Sequence, residues 1–361
     1  MKIALLTMTF NNNYGGLLQA YALMEYLKKL GHQPELLFVQ LEDKSMKSFI
    51  KKYIMPFVSN KWLSIKEKNM VEKNMNYFID TYINPKTAPI YTENDFKTIV
   101  SDKYDAYIIG SDQVWRPKMY RFINHAFFDF VKNDEAVKLS YAASFGVDEW
   151  EYTDSQTKLY KEQVKKFNAI SVREDSGVKL CKSYFDVKAE HVLDPTLLLK
   201  VDDYRKIINK EKESSHDGKL LCYILDYSDE KKVIIDMIST KLNIKHFFVN
   251  DYKKINDKAY PSLTLWLKGF DNAEYVITDS FHGCLFSILF NKPFIVYGNK
   301  KRGMARFKSV LKMFDLEDRL VSSIEYFKVE MILKDIDWNK VNSKLNMYRS
   351  NSELFLRKNI S

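Results

Sequence analysis

Residues 275–298 constrain the fold more than any other stretch, because they read as strand, sharp turn, helix and strand in immediate succession. Tyr275 to Ile277 is β-prone, and Thr278, Asp279 and Ser280 are turn and N-cap formers. Leu285, Phe286 and Leu289 then recur at helical spacing. Asn291-Lys292-Pro293 ends that helix, since proline cannot continue it, and Phe294 to Tyr297 makes the next buried strand. Such a unit sets a helix N-terminus at the carboxyl end of a strand, where open α/β sheets take their ligands. Its free N–H groups and the positive end of its dipole favour an anion. His282 falls in that first turn, and Gly283 admits close approach to the backbone. A titratable group beside an anion cradle suits group transfer from a phosphorylated donor. The competing reading is a histidine packed at a helix start.

The chain opens in the same idiom. Ile3 to Met8 reads as a buried strand, and a helix follows with Leu17, Ala20, Leu23, Met24 and Leu27 on one face. Gly31 ends it as a left-handed cap, and Leu36 to Val39 is a second strand. No GxGxxG follows the first strand, so the dinucleotide fingerprint is absent. The connecting loop, with Asn11, Asn13, Tyr14, Gly15 and Gly16, suits sugar hydroxyls or a phosphate; otherwise it is a plain βα turn. Further strands end in polar tips. Ala106 to Ile109 leads into Gly110, Ser111, Asp112 and Gln113, where Asp112 is placed to orient a hydroxyl or accept its proton, or merely to cap. Leu139 to Ser144 closes with Phe145-Gly146. Ala169 to Val172 ends in Arg173, a fork for carboxylate or phosphate or else an interdomain ion pair, with Asp175 or Ser176 as cap of the next helix. His191 to Thr196 reads as the exit of a first domain.

A second βα series starts at Leu220 to Leu225, continues with a helix near 229–242 and a strand at His246 to Val249, and runs into the 275–298 unit. Arg302 and Arg306 stand four apart, so a helix would set both on one face, over an anion near His282 or simply in solvent. Trp338 to Leu356 reads as a closing helix packed back on the first domain. The expected division is 1–198, with a basic insertion at about 44–75, then 199–335, then the closing helix at 336–361.

With 56 basic and 47 acidic residues, the formal charge of +9 suits anionic ligands or an anionic membrane surface. Zinc-finger spacing, RNP-like aromatics and a basic helical stripe are all missing, so nucleic acid is not an expected partner. Cys181, Cys222 and Cys284 are odd in number and far apart, which argues against a disulfide framework or a zinc site and for a reducing compartment. No apolar run is long enough to span a membrane, and the start reads as a strand rather than a signal peptide. The expected location is cytoplasmic. In residues 44–68, seven lysines face the single acid Glu67 among interleaved Met, Phe, Ile and Trp. This stretch admits peripheral contact with the inner face of an anionic membrane, or a solvated hairpin over the sheet edge.

Taken in order, several motifs resemble the polysaccharide pyruvyl transferase family. They are Asn13-Tyr14-Gly15-Gly16 with Leu18 to Leu23, Gly110-Ser111-Asp112-Gln113-Val114-Trp115, Ser140 to Gly146, and Ser171-Val172-Arg173-Glu174. Leu193-Asp194-Pro195-Thr196, Thr278 to Gly283, Arg302 to Arg306 and Ser309-Val310-Leu311 complete the set, leaving 41–100 as a poor match. The resemblance implies two facing Rossmann-like domains of the GT-B glycosyltransferase kind. It also implies transfer of pyruvate from phosphoenolpyruvate onto two hydroxyls of a sugar, in a polysaccharide or lipid-linked glycan intermediate, with a ketal formed and phosphate released. On that basis His282 and Asp112 are the expected catalytic pair. Arg173, Ser280, Phe281, His282, Gly283, Arg302 and Arg306 are the expected donor contacts. Asn11, Asn13, Tyr14, Gly15, Gly16, Ser111, Asp112 and Gln113 are the expected acceptor contacts. Phosphoenolpyruvate serves as co-substrate, and no cofactor or metal is expected. The family's Arg-Leu-His triplet is Ser280-Phe281-His282 here, so the histidine is kept and its arginine is not; Arg302 or Arg306 is the candidate replacement. The rival readings are a glycosyltransferase of the same architecture using a nucleotide sugar, and a non-catalytic glycan- or membrane-binding protein.

Overall fold

Short apolar runs bounded by turn formers become strands throughout the computed structural model, which describes residues 1–10, 13–40, 70–99, 103–211, 216–249, 259–298 and 303–360. The first sheet holds β1 (Lys2–Leu6), β2 (Gln33–Leu36), β3 (Ala106–Ile109), β4 (Val137–Ala143), β5 (Ala169–Val172) and β6 (Glu190–His191), in the order β2-β1-β3-β4-β5-β6. The second holds β7 (Leu220–Tyr223), β8 (His246–Phe248), β9 (Tyr275–Thr278), β10 (Phe294–Tyr297) and β11 (Leu320–Val321), in the order β11-β10-β9-β7-β8. Every pairing between these strands is parallel. Both sheets are doubly wound. Strand order reverses between β1 and β3 in the first and between β7 and β9 in the second, and a crevice opens at each reversal.

Helices cover the sheets: α1 (Tyr14–Lys29), α2 (Lys73–Tyr82), α3 (Asp154–Val164), α4 (Asp175–Leu180), α5 (Val201–Lys210), α6 (Asp229–Leu242), α7 (Leu263–Asn272), α8 (Phe281–Leu289), α9 (Ala305–Phe314), α10 (Glu330–Leu333) and α11 (Trp338–Asn359). Every residue of α8 is buried, as suits a helix apolar all round. Its Phe286 and Leu285 join one core with Ile3, Leu5 and Ile108 of the first sheet and Leu221 and Val276 of the second, so the two units share apolar packing. Each large side chain buried there contributes about 1.5–3 kcal/mol. Tyr14 ties the units further. It stacks on Trp266 at 5.8 Å, and its hydroxyl donates to the carbonyl of Pro261 at 2.8 Å.

α11 lies against the exit of the first sheet. Arg349 Nε donates to the Leu197 carbonyl at 2.8 Å, and the Leu193 N–H donates to Ser352 Oγ at 2.9 Å. Strand β2 occupies Gln33–Leu36 rather than the expected 36–39, and Val39 makes only an isolated bridge to Ile90. The edge position explains this: Pro34 lacks an N–H, and an edge strand tolerates that loss. Among the described residues no helix is long and apolar enough to cross a membrane. The basic stretch at 44–68 lies outside the described residues.

Candidate active site

The carboxyl ends of the first sheet's central strands supply a buried polar cluster. β3 runs out into Ser111 and Asp112, and Asp112 adopts a left-handed φ of 78°. β4 carries an irregularity between Ser140 and Ala143, where Ala142 has a φ of 53°. Such conformations cost a non-glycine residue about 1–3 kcal/mol and gather at functional sites. Local hydrogen bonds hold them. The Ala142 N–H donates to Ser171 Oγ at 3.2 Å, and the Ser144 N–H donates to the Asp112 carbonyl at 3.0 Å. β5 ends at Arg173 and Glu174, and the exit of β6 turns at Asp194-Pro195-Thr196.

Asp194 is the hub. Its Oδ1 accepts from the Thr196 N–H and hydroxyl at 3.0 and 2.8 Å. Its Oδ2 accepts from Ser111 Oγ at 3.0 Å and Arg173 Nη1 at 2.8 Å, and His282 Nε2 stands 3.7 Å away. Burial alone would raise the Asp194 carboxyl; His282 and Arg173 outweigh it and hold the group well below the usual carboxylate range. Burial would likewise lower Arg173, yet Asp194, Glu174 and Asp112 keep it above its ordinary value. Arg173 is thus ion-paired within its own sheet, not across the domains. Its Nε reaches Glu174 Oε1 at 3.4 Å, while Nη2 is 3.6 Å from Asp112 Oδ1, too long for a hydrogen bond. Arg173 Nη2, His282 Nε2 and Glu174 Oε2 are buried with no hydrogen-bond partner among the described residues. Buried polar atoms are nearly always satisfied, so three orphans around one carboxylate mark the place a ligand would complete.

His282 comes from the other sheet, in the first turn of α8. Ser280 caps that helix, its Oγ accepting from the Gly283 N–H at 3.4 Å. Gly283 is required there, since a Cβ would lie 2.2 Å from Thr278 Oγ1. The first turn of α1 faces the imidazole so closely that a Cβ on Gly15 would lie 2.0 Å from His282 Nδ1. Two helix N-termini therefore converge on His282. Both guanidiniums of the site rest on one ring, with Arg173 Cζ at 4.4 Å and Arg306 Cζ at 5.4 Å from the Phe281 centroid. Burial first, then Arg173, push Arg306 down to about 10 against the pull of Asp112 and Glu174. The Asp175 N–H donates to Ser309 Oγ at 3.0 Å, and a Cβ on Gly303 would lie 2.0 Å from the Gly146 carbonyl, so α9 and its approach close on the first domain.

The structure thus gathers His282, Arg173, Asp112, Ser111, Gly15, Phe281 and Arg306. Gly16 is buried, and its carbonyl accepts from Gln19 Nε2. Gln113 turns aside, its Oε1 accepting from Arg116 Nη1 at 3.0 Å. Tyr14 is spent as the strut to Pro261, and Asn13 sits exposed at the start of α1 without a side-chain cap bond. Asn11 and Arg302 lie outside the described residues. The cap of α4 is Glu174 rather than Asp175 or Ser176. Glu174 also takes the Ser144 hydroxyl at 2.6 Å. Asp194 and Glu174 join the site as well; an aspartate before proline at a strand exit, and an acid next to a buried arginine, are the sequence signals that name them.

At the second sheet's reversal, Asp279 occupies the crevice between β7 and β9. It accepts from the Leu225 N–H at 2.6 Å, the Asp226 N–H at 3.0 Å and Lys231 Nζ at 2.6 Å. Both partners of this ion pair are buried.

A protein of Listeria monocytogenes assigned as a UDP-N-acetylglucosamine 2-epimerase is similar to this chain at 7% identity with a TM-score of 0.54, covering 97% of this chain and 90% of that one. The UDP-GlcNAc 2-epimerase of Neisseria meningitidis aligns at 9% identity with a TM-score of 0.49 over 99% of both chains. At such identity the first likeness speaks to the fold alone: two facing Rossmann-like domains, as in GT-B enzymes. No curated protein matches the chain. The model of one family, polysaccharide pyruvyl transferase, matches residues 13–301, from the turn before α1 to the segment before α9. That span covers most of the chain and takes in Asp112, Arg173, Asp194 and His282, and the protein belongs to the polysaccharide pyruvyl transferase family.

Proposed function

We propose that this transferase moves pyruvate from phosphoenolpyruvate onto two hydroxyls of a sugar, within a polysaccharide or lipid-linked glycan intermediate, forming a ketal and releasing phosphate. The observation that carries the reading is the pair of buried nitrogens without a partner among the described residues, Arg173 Nη2 and His282 Nε2, on side chains that flank Asp194, with the first turns of α1 and α8 meeting at His282. A phosphate or carboxylate oxygen satisfies such nitrogens, and helix N-termini favour its charge. The enol methylene takes a proton, and the neighbouring carbon becomes cation-like. One sugar hydroxyl adds to that carbon, phosphate departs, and the second hydroxyl closes the ring. Of the two hydroxyl protons, one replaces the proton given to the methylene and the other leaves with phosphate. His282 serves as the acid or base of these transfers, a role worth about 10²–10⁴-fold, with the Asp194 carboxylate 3.7 Å from its Nε2. Asp112 faces the acceptor hydroxyls.

A nucleotide-sugar donor draws less support. Its phosphates would seek N–H groups at a sheet crevice, and Asp279 already accepts from those of Leu225 and Asp226 in the second domain. The test is phosphate release from phosphoenolpyruvate with a panel of galactosides, mannosides and N-acetylhexosamines. Release that requires an acceptor and is lost in His282→Ala is expected. Acceptor-dependent release that survives in His282→Ala would remove His282 from the chemistry, and no release with any acceptor would count against the donor.

A further inference from the structure

Arg173 and Arg306 reach the site from different domains, one at the tip of β5 and the other in the first turn of α9. Both are buried. Two like charges in a dry site repel; Asp112 and Glu174 offset that repulsion for both, and Asp194 pairs with Arg173 besides. Phe281 is the aromatic ring they also share, 4.4 Å from one guanidinium carbon and 5.4 Å from the other. Its own position is fixed by the start of α8, by Phe307 at 6.2 Å and by burial to 5% exposure. An aromatic face attracts each cation through its quadrupole, and the attraction strengthens where water is excluded. An aliphatic residue of similar bulk would fill the space without that attraction.

We propose that Phe281 is a positioning residue of the donor site, its ring holding Arg173 and Arg306 as the two arms of one clamp for a donor bearing both phosphate and carboxylate. The inference rests on the donor reading above and deepens it. Both arms gather on the ring beside His282, whose imidazole centroid is 5.5 Å from that of Phe281. An anion seated there meets two guanidiniums on one side and the acid–base group on the other. The clamp closes only when the two domains face each other, because its arms belong to different sheets while the ring belongs to the second.

The test compares wild type with Phe281→Leu and Phe281→Tyr, by steady-state phosphate release at saturating acceptor and by calorimetric binding of inorganic phosphate. Phe281→Leu should raise KM for phosphoenolpyruvate by about tenfold, the order of one desolvated cation–π contact, and change kcat by less than about threefold. Phe281→Tyr, which keeps the face, should restore KM. In an Arg306→Met background the Phe281→Leu step should cost less than in wild type, since one arm is already gone. A KM unchanged in Phe281→Leu, or one raised equally in Phe281→Leu and Phe281→Tyr, overturns the clamp while leaving the donor reading intact. Inorganic phosphate that binds wild type and weakens in Phe281→Leu, without turnover of phosphoenolpyruvate, keeps the clamp and overturns the donor. Absence of both turnover and phosphate binding overturns both.

Discussion

The two sheet crevices of this molecule both contain a buried carboxylate paired with a buried cation, and they differ in what is left over. Asp279 accepts from two backbone N–H groups and Lys231 Nζ, and Lys231 also donates to the Asp226 carbonyl and lies 5.1 Å over the Tyr297 ring. Among the described residues, neither side chain leaves an orphaned atom. Asp194 is equally buried and equally well served, but its neighbours are not: Arg173 Nη2, His282 Nε2 and Glu174 Oε2 have no partner among the described residues. A satisfied buried pair specifies packing, whereas an under-satisfied one sits next to something that comes and goes. The Asp279 pair is thus satisfied by the protein itself, whereas the neighbours of Asp194 are left for the proposed ligand.

Breaking each cluster should give different signatures. The largest effect is expected from His282→Asn, a loss of kcat of about 10²–10⁴-fold with thermal unfolding little changed, measured by phosphate release beside a melting curve. If His282 behaved as a packing residue, the melt would move and residual activity would track the folded fraction. Lys231→Met should do the reverse. Removing one partner of a buried pair costs about 3–5 kcal/mol, read by denaturant unfolding, and KM for the donor in the remaining folded protein should be unchanged. A raised KM would make the Asp279 pair part of the donor site.

Gly15→Ala is the sharper probe of the interface between the crevices, because its new methyl meets His282 rather than solvent. Overpacking of this kind costs about 1–3 kcal/mol, and kcat should fall more than stability alone accounts for. The smallest effect is in acid. Asp194 is held below its unfolded value near ~3.9, so its contribution is fully present above that pH and is lost as pH falls toward the folded value. Denaturation below about pH 4 should show a slope that is reduced in Asp194→Asn; equal slopes would mean that Asp194 is not the carboxylate concerned.

Much of this architecture was legible in the chain because local and global signals agree. Ala106–Ile109 and Ala169–Val172 are short apolar runs ending in polar turns, and each is a strand in the structure. Gly31 adopts its left-handed φ of 86° just past α1. The helix at Leu263–Asn272 went unread, although Ser262 caps it. Its Leu263, Trp266, Leu267 and Phe270 stand at i, i+3, i+4 and i+7, so the apolar face that packs on Tyr14 and α8 was legible in the spacing as well. Within the site, His282 and Arg173 stood out as titratable or forked groups at strand tips. Asp194 did not, because its role depends on a meeting of Ser111, Arg173 and His282 that arises only when two sheets face each other. Tyr14 misled for the related reason that a tyrosine in a polar loop looks like a ligand contact until a partner domain takes its hydroxyl.

On the proposed function, the Asp194 cluster receives an anionic three-carbon donor and the Asp279 crevice receives none. Calorimetric titration of the wild-type chain with phosphoenolpyruvate and, separately, with a UDP-sugar tests it most directly. Saturable binding of phosphoenolpyruvate that is lost in Arg173→Met is expected, with no binding of the UDP-sugar. Saturable binding of the UDP-sugar with none of phosphoenolpyruvate would contradict it.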